Sequence, residues 1–164
     1  MLFFQNETLK TLCLHARAEY PGECCGILLG KCFFGQKLVY QVIKTENTVC
    51  QKDSLDHFLI DPLEILKAET FADEAQLEII GFYHSHPNME AIPSNVDMLH
   101  MIAGYSYPIL SVNRNLSVKV RSFEKAKQTD THAKEEILIK ERHNADSSIC
   151  IRNIASLCKP KGEN

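Results

Sequence analysis

The stretch LEIIGFYHSHPNMEAIPSNVDM, residues 77–98, carries the strongest structural signal in the chain. It opens on a largely apolar run, typical of a buried strand, and the run ends on His84 and His86. Side chains at i and i+2 of a strand share a face, with Cα atoms roughly 6–7 Å apart. Two imidazoles at that spacing can converge on one metal ion. The alternative is a pair of surface histidines at a strand end.

Ser94 and Asp97 follow the histidine pair and precede a second apolar pattern. A serine, two residues and then an acid form a capping box, which predicts a helix from Ser94 to about Ala103. A metal-binding role for Asp97 is compatible with this, because a helix start beside the histidines aims Asp97 at the same point. Two histidines and one carboxylate, with water as the fourth ligand, form a catalytic zinc arrangement.

A second metal motif overlaps the first. His84, His86 and Glu90 match the first half of a cupin pattern, which belongs to an all-β jelly roll. A cupin needs a further histidine on a later strand. His100 falls in a helical stretch and His132 in a polar segment, so the cupin interpretation is the weaker one.

Glu23 is the candidate proton carrier that a hydrolytic metal site requires. It stands between Pro21-Gly22 and the apolar run CCGILLG, residues 24–30. A charge at the mouth of a buried strand must be paired, hydrated or functional. The alternative is an exposed glutamate at the start of a strand. Glu19 and Glu90 are rival carboxylates, but both are more easily interpreted as solvated loop residues.

The remaining elements predict a mixed β-sheet flanked by helices, in the α/β class. Residues 45–55 are expected to form a loop, residues 135–141 fit a strand or a helix, and the tail from His143 has no clear period. Helices are predicted at residues 6–18, 62–75 and 94–103, the second with Asp61 as its cap and Glu64 closing a capping box. Strands are predicted at residues 24–30, 36–43, 57–60, 77–84, 107–112 and 116–123.

Composition favours one domain of an ordinary globular protein, with 164 residues and a net charge of −3. Scattered lysines and arginines argue against nucleic-acid binding, and no apolar run reaches a membrane span or resembles a signal peptide. Seven cysteines occur without a C-x-x-C motif. Cys13, Cys24, Cys25 and Cys50 lie in apolar stretches, which predicts buried small hydrophobes in a reducing cytoplasm.

Glu23, the run HSHP at residues 84–87 and SNVD at residues 94–97 together resemble the JAMM (MPN+, JAB) zinc metalloproteases. The spacing from His86 to Asp97 is that of the family motif, without insertion or deletion. YPGECCGILLG, Asn47, FLIDP and GFYHSHP also look like short prokaryotic members of the family. The resemblance covers about residues 5–123. It predicts a JAB/MPN domain at residues 1–124 with a curved mixed sheet of cytidine deaminase-like architecture, and an extension of the same domain, or a tail, at residues 125–164.

The resemblance implies a role for each motif residue. His84, His86 and Asp97 would bind one catalytic Zn²⁺. Glu23 would move the proton of the attacking water, and Ser94 would stabilise the oxyanion.

The implied enzyme is a cytoplasmic zinc metallopeptidase, similar to CysO–cysteine peptidases. It would cleave a peptide or isopeptide bond after the Gly-Gly tail of a ubiquitin-like or sulfur-carrier protein, which could bind by strand addition. A non-catalytic MPN scaffold is the alternative, and the chain has no room for the helical DNA-binding region of RadC-type relatives. The leaving group, the carrier, the oligomeric state (a homodimer among the options) and the role of the tail with Cys150 and Cys158 stay open.

Overall fold

A computed structural model describes residues 1–49, 57–126, 132–142 and 149–153 of the chain. Within these ranges, helices and strands build one mixed sheet with helices packed on it. The helices are α1 (Asn6–Glu19), α2 (Pro62–Glu74) and α3 (Asn95–His100). The strands are β1 (Leu2–Gln5), β2 (Cys25–Phe33), β3 (Gln36–Thr45), β4 (Glu78–Pro87), β5 (Ser106–Val112), β6 (Val118–Lys125), β7 (His132–Glu135), β8 (Ile137–Arg142) and β9 (Ile149–Asn153).

The sheet has the order β7-β6-β5-β4-β2-β3-β1-β8-β9. β4 lies next to the central strand β2, antiparallel to β2 and parallel to β5. The sheet is so strongly curved that Lys37 on β3 contacts β5 and β6, across two and three intervening strands. Its Nζ donates to Ser106 Oγ on β5 at 3.0 Å and to Glu124 Oε1 on β6 at 2.6 Å. The predicted class, a curved mixed sheet flanked by helices, is confirmed.

Successive side chains of the central strands point to opposite faces of the sheet, and both faces are buried. Leu28 of β2 and Tyr83 of β4 pack into the cluster that includes α1. Ile27 of β2 and Phe82 of β4 pack into the opposite cluster with α2. His84 and His86 lie two and four residues after Phe82 on the same strand. Their side chains are therefore on the same face of the sheet as Phe82, the face that packs against α2.

Most predicted elements are present, with ends that differ by up to three residues, but β1, β7 and β9 were not predicted and two further segments differ. Residues 57–60, predicted as a strand, form no strand. They bond instead to the loop after β3, where Leu59 N donates to Asn47 Oδ1 at 3.1 Å and Thr48 N donates to Leu59 O at 3.0 Å. The helix predicted from Ser94 to Ala103 ends at His100, because Met101 turns into the core.

Helix α2 begins as predicted, with Asp61 accepting from Leu63 N at 2.8 Å and Pro62 in the first turn. The predicted capping box is wrong in one part. The Glu64 carboxylate accepts from Lys67 Nζ at 2.6 Å instead of closing the box.

The C-terminal region adds strands to the same sheet. β7 pairs with β6, β8 pairs in parallel with β1, and β9 pairs with β8. The undecided stretch at residues 135–141 is therefore extended, divided by Glu136 between two strands. A domain boundary at residue 124 stays a prediction, and Cys158 lies outside the described residues.

Three of the cysteines predicted to be core residues are buried: Cys13, Cys24 and Cys25. Burial raises the pKa of the Cys24 thiol to about 12 and that of Cys25 to about 11, so both stay protonated at neutral pH. Cys50 lies outside the described residues. No helix in the described part of the chain is long and apolar enough to cross a membrane.

Candidate metal centre

Two buried histidines lie close together near the carboxyl end of β4. His84 and His86 are 2% and 4% exposed, and their Nε2 atoms lie 3.0 Å apart. His86 Nδ1 lies 3.1 Å from the Glu90 carbonyl, which can only accept a hydrogen bond. In the neutral ring the proton is therefore on Nδ1, and the lone pair of Nε2 faces His84. A backbone partner on the far nitrogen is the usual way to orient a metal-binding histidine.

α3 brings Asp97 to the same point. Asp97 Oδ1 lies 3.4 Å from His84 Nε2, and Oδ2 lies 3.4 Å from His86 Nε2. The capping box is also present, with Ser94 N donating to Asp97 Oδ2 at 2.6 Å and Asp97 N donating to Ser94 Oγ at 3.1 Å. The sequence left open whether Asp97 caps the helix or faces the histidines. The structure shows that it does both.

The spacing of these donors fits a tetrahedral zinc ion. Ligand atoms bound at about 2.0–2.2 Å from such an ion lie roughly 3.3–3.6 Å from one another. Here the two histidine Nε2 atoms lie 3.0 Å apart, and each of them lies 3.4 Å from a different oxygen of the Asp97 carboxylate, which is close to that spacing. Two imidazole nitrogens and one carboxylate oxygen are also ligands that zinc accepts. Among the described residues, His84, His86 and Asp97 thus form a group suited to a single ion.

The cluster combines an imidazole with a lowered pKa, an imidazole with a raised pKa and a carboxylate. Burial lowers the pKa of His84, which keeps the imidazole neutral, the form that binds a metal. Burial also acts to lower the pKa of His86, but the hydrogen bond with Asp97, the Glu90 carbonyl and the charge of Glu23 outweigh it and raise that pKa. Burial acts to raise the pKa of Asp97, but bonds with both histidines hold it well below its usual range. Asp97 is therefore a carboxylate at any ordinary pH.

Glu23, two residues before β2, brings a buried carboxylate to the same centre. Its side chain is 2% exposed, and Oε1 lies 3.9 Å from His86 Nε2. This excludes the alternative of an exposed glutamate at a strand start. The rival carboxylates lie elsewhere: Glu19 is half-exposed beside His15, and the Glu90 side chain is exposed beside Arg121.

The cupin interpretation is wrong. The chain has a mixed sheet with helices, not an all-β jelly roll. His100, which lies on α3, is exposed, and its Nδ1 bonds to the Val96 carbonyl in its own helix.

Sequence reasoning missed two residues that shape the centre. Ser85, between the histidines, is fully buried and accepts from Cys24 N at 2.9 Å, which fixes the backbone beside Glu23. Phe58 stacks on the His84 ring, with centroids 4.5 Å apart and planes 20° from parallel. The alternation of β4 could have indicated that Ser85 faces the opposite side from the histidines. No local pattern indicates Phe58.

A cavity of about 700 Å³ opens beside His84 and Asp97. Its walls come from residues 57–60, α2, α3 and the strands beneath them, and they are mainly apolar. They include Phe58, Ile60, Ile65, Phe82, Met101 and Tyr107.

Comparison with known proteins places the chain in a family. Residues 5–124 match the model of the prokaryotic homologues of the JAB domain, and the chain belongs to that family. The solution structure of a Desulfitobacterium hafniense protein superposes with a TM-score of 0.76 at 31% identity, over 86% of this chain and 94% of that one.

Two curated relatives share part of the chain. The desampylase of Pyrococcus furiosus is 36% identical over 76 residues, which is 46% of this chain and 49% of the relative. The CysO–cysteine peptidase of Mycobacterium tuberculosis is 29% identical over 98 residues, 60% of this chain and 64% of the relative. The chain spans between about a quarter and two thirds of the length of the curated relatives that it matches.

Proposed function

We propose that this protein is a zinc-dependent peptidase that cleaves a peptide or isopeptide bond at the C-terminus of a ubiquitin-like or sulfur-carrier protein. The observation that carries the proposal is the convergence of His84, His86 and Asp97 at zinc-ligand spacing, with the buried Glu23 carboxylate beside them. The family supports it, as do the names of relatives that are peptidases of protein conjugates.

Each residue has a distinct task in this proposal. His84, His86 and Asp97 would hold the zinc ion, which supplies Lewis acidity and lowers the pKa of water to about 7. Glu23 takes a proton from the attacking water and returns it to the leaving amine. A positioned acid/base of this kind contributes roughly 10²–10⁴ in rate. The burial of Glu23 keeps bulk water away from that transfer.

Ser94 would donate to the developing oxyanion. Its Oγ accepts from Asp97 N, and a hydroxyl that accepts one bond still has its hydrogen to donate. The cap role and the oxyanion role are therefore compatible in a single conformation.

The proposed substrate ends in Gly-Gly, because residues without side chains can pass close to a buried metal. The leaving group would be the amine of cysteine or the side-chain amine of a lysine. We propose a cytoplasmic location for the reaction, as the buried free thiols of Cys24 and Cys25 suit a reducing compartment.

The test is a cleavage assay on the purified chain. A Gly-Gly-tailed carrier joined to cysteine is compared with a lysine-linked conjugate, with and without a zinc chelator. We expect cleavage after Gly-Gly, loss of cleavage with the chelator, and recovery when zinc is added back. A chain that contains no stoichiometric zinc after metal-replete purification contradicts the proposal and favours the alternative, a non-catalytic MPN scaffold.

Replacing Ser94 with alanine is expected to lower kcat by about 10²–10³, the usual loss for one oxyanion donor. The lost cap should cost about 1 kcal/mol of unfolding free energy. Asp61→Ala is the matched control, because it removes the N-cap of α2, which carries none of the proposed ligands. Steady-state kinetics and urea unfolding of both variants separate the roles. If the two variants lose stability alike and Ser94→Ala keeps its kcat, Ser94 is only a cap.

A further inference from the structure

Asn47, just after β3, joins three backbone segments through its side-chain amide. Nδ2 donates to the carbonyls of Glu23 at 3.2 Å and His57 at 2.9 Å. Oδ1 accepts from the backbone of Val49 at 3.2 Å and of Leu59 at 3.1 Å. The two hydrogens and the two lone pairs of the amide are all used.

These partners fix the orientation of the amide. Two of them are carbonyls, which need the NH₂ group, and two are N–H groups, which need the oxygen. An aspartate at position 47 offers no donor, and an alanine offers neither donor nor acceptor. Asparagine is therefore matched to this position on both of its polar atoms.

One end of the Asn47 network holds Glu23. Asn47 binds the Glu23 carbonyl, and the next residue is fixed from the other side by Ser85. Cys24 N donates to Ser85 Oγ at 2.9 Å, and Ser85 N donates to Cys24 O at 3.0 Å. The backbone that carries the Glu23 carboxylate, 3.9 Å from His86, is thus held by two independent groups.

The other end holds Phe58. Asn47 bonds to His57 and Leu59, the residues on either side of Phe58. The Phe58 ring lies against the His84 imidazole at a centroid distance of 4.5 Å. Residues 57–60 form no strand, so Asn47 and Thr48 supply the bonds that a sheet would otherwise provide.

We infer that Asn47 is a positioning residue of the metal centre, whose single amide sets the places of both the Glu23 carboxylate and the His84 ring. The inference rests on the proposed function. Asn47 acts through its neighbours, in the way that outer residues orient metal ligands, and the loss of such a residue typically costs 10–100-fold in metal affinity or activity.

The experiment compares Asn47→Asp with Thr48→Val in the full chain. Thr48 Oγ1 donates to the Leu59 carbonyl at 2.9 Å, so the control loosens the same segment and leaves the bond to Glu23 intact. We expect Asn47→Asp to lower kcat by about 10–100-fold with little change in KM. The visible spectrum of the Co²⁺-loaded protein should shift, and chelator competition should show weaker metal binding. Thr48→Val keeps the bond from its own backbone N to the Leu59 carbonyl, so it should change kcat, the Co²⁺ spectrum and metal binding far less than Asn47→Asp does.

Phe58→Leu tests the second end alone. It keeps an apolar side chain and removes the stacked ring, so it should shift the Co²⁺ spectrum and weaken metal binding while losing less kcat than Asn47→Asp. If Asn47→Asp fails to fold by circular dichroism, Phe58→Leu and the milder Asn47→Ser decide by the same measurements.

The outcomes separate this inference from the proposed function. A wild-type chain that binds no metal overturns both. An active wild type with Asn47→Asp equal to Thr48→Val in kcat and in Co²⁺ spectrum overturns the inference and leaves the proposed function standing.

Discussion

Glu23→Gln is expected to retain stoichiometric zinc and to lose roughly 10²–10⁴ in kcat, because the amide cannot accept the proton of the attacking water. The substitution preserves the shape of a buried side chain whose Oε1 lies 3.9 Å from His86 Nε2. It also removes one of the charges that raise the pKa of His86. Steady-state kinetics on the conjugate, with zinc measured on the same sample, check both halves of this expectation.

Glu90→Gln is the matched control for Glu23. Glu90 is the carboxylate nearest in sequence to the histidines, but its side chain is exposed, and only its backbone carbonyl faces His86. The control should therefore keep full activity. If Glu23→Gln remains active while binding zinc, the proton is carried by another group and the proposed mechanism fails at that step.

Asp97→Asn is expected to weaken zinc binding by more than about 100-fold, the upper range for residues that only support a ligand. The asparagine oxygen can still accept from Ser94 N, so the helix start should survive. What is lost is the negative charge shared by the two histidines at 3.4 Å. Competition with a chromophoric chelator gives the affinity, and thermal unfolding of the metal-free protein shows whether the fold is kept.

Two further variants serve as comparisons for Asp97→Asn, one that should weaken zinc binding and one that should not. His86→Ala removes a nitrogen donor and should weaken zinc binding in the same way. Ser94→Ala breaks the same capping box from its other side and should leave zinc bound. Unchanged zinc affinity in Asp97→Asn would remove Asp97 from the ligand set and restrict it to the capping role.

Much of the centre could be predicted from the sequence, because its signals are local. Alternation places His84 and His86 on one face without knowledge of the rest of the fold. The capping box positions Asp97 relative to Ser94 within one turn of helix. The apolar run after Glu23 marks this residue as a candidate, but whether its side chain is buried or exposed was left open by the sequence. That these groups meet was expected from the family resemblance.

The errors lie where a distant partner decides the outcome. Residues 57–60 have strand-like composition, but the Asn47 amide takes the place of a neighbouring strand. α3 ends early because Met101 packs in the core and Ile102 N donates to Tyr107 Oη at 2.6 Å. The division at Glu136 exists because β7 and β8 pair with strands at different positions in the sheet.

The histidines and the aspartate of the centre lie on elements that the fold holds with different firmness. His84 and His86 lie on β4, whose backbone is bonded to β2 on one side and β5 on the other. Asp97 lies on a six-residue helix with no buried residue. Backbone groups of central strands exchange their hydrogens only in the largest openings of a protein, and short exposed elements open at low cost. We expect that an ion bound here would be released through fraying of α3, which carries Asp97, while the two histidines stay in place until the sheet itself opens.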